Sequence, residues 1–326
     1  MRRLLIPAMT VLLCITGAGL ASGAMAPIIH RAATAPLPAS ASMPASAPLP
    51  ASTPAPASTP PQANSLPASP PVVAVSAPVS VVVDQEATAA QVKQATQAVL
   101  PSAQVGYEVF DRTTGSILVS QNADQQVAAM SVVKLLIALD VLARNNWAPP
   151  DAGTQQQLHQ MLANSDDEIA NQLWTAGGGP AIVTRMASLL RLTGTAPPDD
   201  PGEWGDTRVT PQDMVTVYRY LADQLSQSDQ DLILGALSDA PKIAADGFDQ
   251  YFGIPDGMPN ASWAIKQGWG TSGSDAVMNS TGLVGPNWRY VVIVLSAAPV
   301  RSYTTLPTVV TAAAGALASL VGSTAP

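Results

Sequence analysis

The 326-residue chain has a single cysteine, Cys14, and it lies inside an N-terminal apolar run. Met1-Arg2-Arg3, the apolar stretch 4–20 and Ala24-Met25-Ala26 follow the secretory pattern of basic start, hydrophobic middle and small-x-small cleavage site. Residues 1–26 therefore read as a signal peptide cut after Ala26. Cys14 follows Leu12-Leu13, where a lipidation site wants a small residue, so lipoprotein anchoring through it is not expected. Removal of Cys14 leaves no thiol, which excludes disulfides and a catalytic cysteine in an oxidising compartment. With only two histidines, His30 and His159, the chain has too few imidazoles for a zinc site. A net charge of -8 argues against a nucleic-acid surface. Beyond the leader no run is long and apolar enough to span a bilayer, although 309–321 is a greasy helix candidate, and no membrane contact is expected of the globular part. The expected location is the cell envelope or its exterior.

Residues 27–78 lack charge altogether after Arg31 and hold fourteen of the thirty prolines among alanines and serines. Such a segment has little to bury, and it reads as a disordered tether or an O-glycosylated spacer. The remaining 79–326 is long enough for one large core, expected to act as a monomer.

Lysine is scarce too, with only Lys93, Lys134, Lys242 and Lys266. One of the four stands in the apolar run 130–144, MSVVKLLIALDVLAR. Leu135, Leu136, Leu139 and Leu142 recur there at helical spacing, which places Ser131 on the first turn of a buried helix and Lys134 one turn on. A neutral amine there could take the serine proton, and the helix N-terminus favours an oxyanion. Ser-x-x-Lys alone is also an ordinary N-cap with a lysine after it.

Helices are predicted over 84–100, 155–163, 168–174, 181–191 and 211–225, with another from about 306. Strands are predicted over 104–110, 116–121, 263–268, 276–284 and 290–296, the first two joined by a hairpin loop closing at Gly115. Strands near both ends with helices between them imply an α+β fold, an antiparallel sheet built from both termini with an inserted all-helical lobe. The natural site is the cleft between sheet and lobe. Two further segments stand out. Ser165-Asp166-Asp167-Glu168 at a helix break fits a capping box, and Lys266-Gln267-Gly268-Trp269 fits a strand whose lysine discourages edge pairing.

Taken in chain order, Ser131-x-x-Lys134, Ser165-Asp166-Asp167 and Lys266-x-Gly268 resemble the three motifs of class A β-lactamases and the related penicillin-binding proteins. The resemblance covers about 84–314 and includes the hairpin Val105 to Asp111 with Gly115 and the segment ANSDDEIANQLWTAGGGP at 163–180. On Thr195-Ala196-Pro197-Pro198, Phe252-Gly253-Ile254-Pro255-Asp256-Gly257 and Lys266-Gln267-Gly268-Trp269 it is similar to actinobacterial secreted β-lactamase-like proteins. The resemblance implies a β-lactamase/transpeptidase-like fold and acyl transfer to a serine, without metal or cofactor. The substrate implied is a small β-lactam-like or peptidoglycan-like acyl donor. Ser131 would be the nucleophile, Lys134 its base, and Ser165 a proton relay to the leaving nitrogen. Lys266 would hold a substrate carboxylate, the N–H groups of Ser131 and Trp269 would form the oxyanion hole, and Asp167, Gln267 and Gly268 would line the substrate site.

Four departures from the family pattern bear on function. Ser131 and Ser165 are only 34 apart, so the lobe is shortened and the cleft more open. Asp167 stands where the family has an asparagine, and Gln267 where it has threonine or serine. Glu203 lies in the right loop to be a deacylating general base, but Pro201-Gly202-Glu203-Trp204-Gly205-Asp206 lacks the Glu-x-x-Leu-Asn pattern; otherwise it belongs with Asp199, Asp200 and Asp206 to a solvated acidic loop. Three functions are therefore in play: an envelope serine hydrolase with weak or absent β-lactam turnover, a non-catalytic envelope binding protein, and an active class A β-lactamase.

Overall fold

A computed structural model describes residues 84–322, so the leader read at 1–26, the tether at 27–78, Cys14 and His30 lie outside the described residues. Helix α1 (Gln85–Val99) starts at Asp84, whose carboxylate accepts from the Ala87 N–H, and stops just before Pro101. Strands β1 (Gln104–Asp111) and β2 (Ser116–Gln121) form the predicted hairpin, closed by Gly115 at φ +70°, a conformation glycine adopts without a steric penalty. A two-residue strand, β3 (Val127–Ala128), precedes the serine segment.

The lobe follows: α2 (Lys134–Arg144), α3 (Ala152–Ala163), α4 (Asp167–Ala176) and α5 (Ala181–Leu190), then the short β4 (Arg208–Val209), α6 (Pro211–Asp223) and α7 (Gln227–Ser238). Helix α7 is not predicted from the sequence. Its signal is Ser226, whose hydroxyl accepts from the Asp229 N–H at the head of a polar first turn, with the buried Ile233, Leu234 and Leu237 coming only later. The chain closes with α8 (Ile254–Gly257), β5 (Trp263–Ser272), β6 (Asp275–Val284), β7 (Tyr290–Pro299) and α9 (Leu306–Leu317).

Five strands make one antiparallel sheet in the order β2-β1-β7-β6-β5. Central β7 is apolar on both faces because both are covered. Val291, Ile293 and Leu295 belong to the core shared with the helical lobe, while Val292 and Val294 pack with the residues of α9. The expected α+β architecture is thus the observed one. Strand β5 is an edge, and its free side borders the helical lobe.

Candidate active site

Several constraints place Ser131. The Ala129 N–H donates to the Thr207 carbonyl at 2.7 Å, and the Asn279 amide donates to the carbonyls of Ala128 and Ala129 at 2.9 and 3.1 Å. Asn279, buried on β6, accepts in turn from the Ser296 N–H, so the segment entering the serine is tied to the centre of the sheet. Met130 then takes φ +49°, an unfavourable conformation for a side-chain-bearing residue that these ties hold in place. Asn279 is a positioning residue that the sequence does not announce, since a polar residue within an apolar strand has no motif around it.

Ser131 does not sit on an α-helical first turn. It lies in a 3-10 turn, Met130–Val133, that runs into α2. The tighter winding stacks residues i and i+3 directly, so Lys134 stands over Ser131 and its Nζ donates to the Ser131 Oγ at 2.8 Å. Both side chains are buried.

Ser165 joins them between α3 and α4. The capping-box alternative fails here, because the cap of α4 is Asp166, which accepts from the Ile169 N–H at 3.1 Å. Ser165 has φ +55° and turns its hydroxyl to the two lysines, 3.2 Å from Lys134 Nζ and 3.0 Å from Lys266 Nζ. Its carbonyl also accepts from Lys134 at 2.8 Å.

Lys266 reaches from β5 and also donates to the carbonyl of Gln267 at 3.1 Å. That carbonyl therefore faces the free edge of β5. Backbone groups two residues apart on a strand share an edge, so the Trp269 N–H faces the same way. Between them Gly268 lies against the serine turn, where a Cβ would come 2.6 Å from the Ala129 carbonyl and 3.2 Å from the Ser131 nitrogen. Only glycine lets the edge approach this closely.

Gln267 is the correction. Successive side chains alternate faces on a strand, so with Lys266 turned to the lobe Gln267 turns away from it. Its amide donates to the carbonyls of Gln250 and Phe252, it is fully buried, and it does not line the cleft. Asp167 does line the cleft, but as an ion-pair partner: its carboxylate lies 2.5 Å from Lys134 Nζ. Glu203 is exposed on the cleft wall and is not among the partners of Lys134. What covers Lys134 is the next residue, Trp204, whose ring centre lies 4.8 Å from the Nζ and whose indole N–H is held by Asn171 at 2.8 Å. Trp204 is a site residue that the sequence gives no reason to choose over the acidic residues beside it.

Ser131 opens onto a cleft of about 580 Å³ between α4, the 202–206 loop and the end of β5. Among the described residues, no group of three or more His, Cys, Asp or Glu side chains is placed to hold a metal, and His159 pairs with Asp239 on the surface. Burial pushes the proton affinity of Lys134 down, against the nearby Asp167 carboxylate, which pulls it up. Burial pushes Lys266 well below the ordinary lysine range, and the positive charge of Lys134 adds to that.

Lys266 thus binds fewer protons folded than unfolded in the range between its folded pKa and about 10.4. Its cost to stability is fully present below the folded pKa and fades as the pH rises towards the ordinary lysine value. Lys266→Met is accordingly expected to raise the thermal midpoint by about 3 °C or more at pH 6, and by less at pH 9. Melting curves of both proteins at the two pH values check this; a midpoint lowered at pH 6 would mean that the Lys266 hydrogen bonds outweigh its desolvation.

Known proteins resemble this chain in sequence or in fold. The family model of the β-lactamase enzyme family matches residues 151–321, a span that holds Ser165 and Lys266 and begins after Ser131 and Lys134. The protein LppW of Mycobacterium bovis, which bears the name of a lipoprotein, is 36% identical over 229 residues, covering 67% of this chain and 71% of its own; LppW of Mycobacterium tuberculosis matches equally. Among solved structures, a β-lactamase from Streptosporangium roseum superposes with a TM-score of 0.58 at 17% identity over 72% of this chain and 99% of that one. The class A β-lactamase of Mycobacterium abscessus superposes at 0.56 with 20% identity, over 71% of this chain and 100% of that one. These two likenesses are of fold. With the profile match and the LppW identity beside them, the chain belongs to the β-lactamase enzyme family.

Proposed function

We propose that this protein is an extracytoplasmic serine acyl-transferring hydrolase of the cell envelope, acylated at Ser131 by a small β-lactam-like or peptidoglycan-like donor. The observation that carries the reading is the convergence of Ser131, Lys134, Ser165 and Lys266 within one hydrogen-bonded cluster at the floor of the cleft. Lys134, when neutral, takes the Ser131 proton as Oγ attacks the acyl carbon. The N–H groups of Ser131 and Trp269 receive the oxyanion, and the Ser165 hydroxyl, polarised by Lys266, protonates the leaving nitrogen. The lipoprotein name of LppW and the leader-like 1–26 support an envelope location. Among the described residues, no helix is long and apolar enough to cross a membrane.

A non-catalytic envelope binding protein on the same fold is the second reading, favoured by the carboxylate of Asp167 on Lys134 and by the turn of Gln267 away from the cleft. A fluorescent penicillin separates the two. On the hydrolase reading it labels the protein in denaturing gels and fails to label Ser131→Ala; no labelling at high probe concentration favours the binding protein, and rapid turnover an active β-lactamase.

A further inference from the structure

The cleft wall is acidic. Asp167, Glu203, Asp206 and Asp246 line it, and among the described residues no lysine, arginine or histidine does. The two lysines beneath it are buried and engaged, Lys134 with Asp167 and the Trp204 ring, and Lys266 with Ser165, the Gln267 carbonyl and the inner side of the Trp269 ring. The centre of that ring lies 5.9 Å from the Lys266 Nζ, so only the outer edge of the indole, beside Asp246, is open to a ligand. The carboxylates are not gathered as a metal shell. Asp167 is offset by Lys134, so a donor carrying its own carboxylate would meet the like charge of Glu203, Asp206 and Asp246, whose potentials add in a concave site.

The second feature is aromatic. Trp204, Trp269 and Tyr303 line the same cleft. Trp269 is fixed by stacking on Phe248 with ring centres 4.9 Å apart, and its indole N–H donates to Asp246 at 2.9 Å. One carboxylate and one indole are thereby locked side by side at the end of the cleft nearest the free edge of β5. Carboxylates next to aromatic rings are the surroundings in which ammonium and guanidinium groups bind. The Trp269 contact holds Asp246 in place without neutralising it.

From this we infer that the cleft selects a cationic acyl donor, one whose ammonium or guanidinium group settles against Asp246 and Trp269 while its ester, amide or lactam carbonyl meets Ser131. The inference rests on the reading of Ser131 as an acylated nucleophile. In the step it describes, Ser131 Oγ bonds to the carbonyl carbon, the hydroxyl proton passes to the neutral Lys134 amine, and the bond to the leaving group breaks. A nitrogen leaving group takes a proton from Ser165, whereas a nitrophenolate departs as the anion.

The test uses the full chain and three p-nitrophenyl esters of similar acyl length: 4-trimethylammoniobutyrate, an uncharged hexanoate and a glutarate half-ester. Nitrophenolate release is divided by each ester's own rate with hydroxide, and the acyl group on Ser131 is located by intact mass and peptide mapping. The expected order is cation, neutral, anion. The cation-to-anion ratio should be about tenfold or more at low salt and should shrink in 0.5 M salt. The combined Glu203→Gln, Asp206→Asn and Asp246→Asn variant should lower that ratio at least about threefold, and because the ratio is internal to each protein a change in folded fraction cancels. Acylation of Ser131 at rates independent of acyl charge, or fastest with the glutarate, overturns the cationic selectivity and leaves the hydrolase reading intact. Failure of all three esters to modify Ser131 removes that reading and the inference together.

Discussion

A reactive β-lactam supplied at high concentration is expected to leave one equivalent bound to Ser131 as a long-lived ester, visible as an intact-mass increase that Ser131→Ala abolishes. Steady-state hydrolysis should be slow. Acylation needs a nucleophile, a base, a proton for the leaving nitrogen and oxyanion donors, and on the proposed reading the first three roles fall to Ser131, Lys134 and Ser165, which hydrogen-bond within one buried cluster. Deacylation needs a further base holding a water against the acyl carbon. The loop from which it would come instead lays the Trp204 indole over Lys134 and ties that indole to Asn171. A second tie, from the Trp174 indole N–H to the Pro201 carbonyl at 2.9 Å, fixes the loop's approach. Glu203 is left exposed on the wall rather than bonded into the cluster. Loss of a general base typically slows its step by about 10²–10⁴. Adduct lifetime, followed by mass after removal of free β-lactam, measures this directly. Rapid turnover that vanished in Glu203→Gln would make Glu203 a deacylation base after all.

How far the sequence could be read depended on whether a feature is local. Periodicity placed the serine segment, the hairpin and the three closing strands, because a run such as YVVIVL declares a strand covered on both faces. Three short motifs in the right chain order pointed to one cleft even though Ser131 and Lys266 are far apart in the chain. Other features depended on backbone geometry or on tertiary partners. Whether Ser165 caps α4 or faces the lysines turns on one φ angle, and the choice of Asp166 as cap decides it. The 3-10 winding under Ser131 follows from ties to Thr207 and Asn279, residues distant in sequence. The direction of Gln267 was readable in principle, since a residue next to an inward lysine on a strand must face the other way. The family resemblance placed it in the substrate site; the alternation of the strand does not.

Asp167→Asn is expected to speed acylation of Ser131 by about tenfold or more near neutral pH. The Asp167 carboxylate lies 2.5 Å from Lys134 Nζ and favours the ammonium, the form that cannot accept the serine proton. An opposite charge at such range commonly shifts a protonation equilibrium by tenfold or more. Removing it leaves burial opposed only by the more weakly acting Asp166 and Asp246 carboxylates, so the neutral fraction of Lys134 rises. The sign follows for the pH profile: acylation increases with pH as Lys134 loses its proton, and in Asp167→Asn the rise should occur at lower pH, with the two proteins converging at alkaline pH. The asparagine also removes one negative charge from the wall, which further helps an anionic β-lactam. Single-turnover labelling with a fluorescent penicillin from pH 5 to 10 gives both profiles. A profile left in place would show that Lys134 is not the base. A fall in labelling would assign the final proton acceptor to Asp167 itself, with Lys134 passing the Ser131 proton to a carboxylate it already touches.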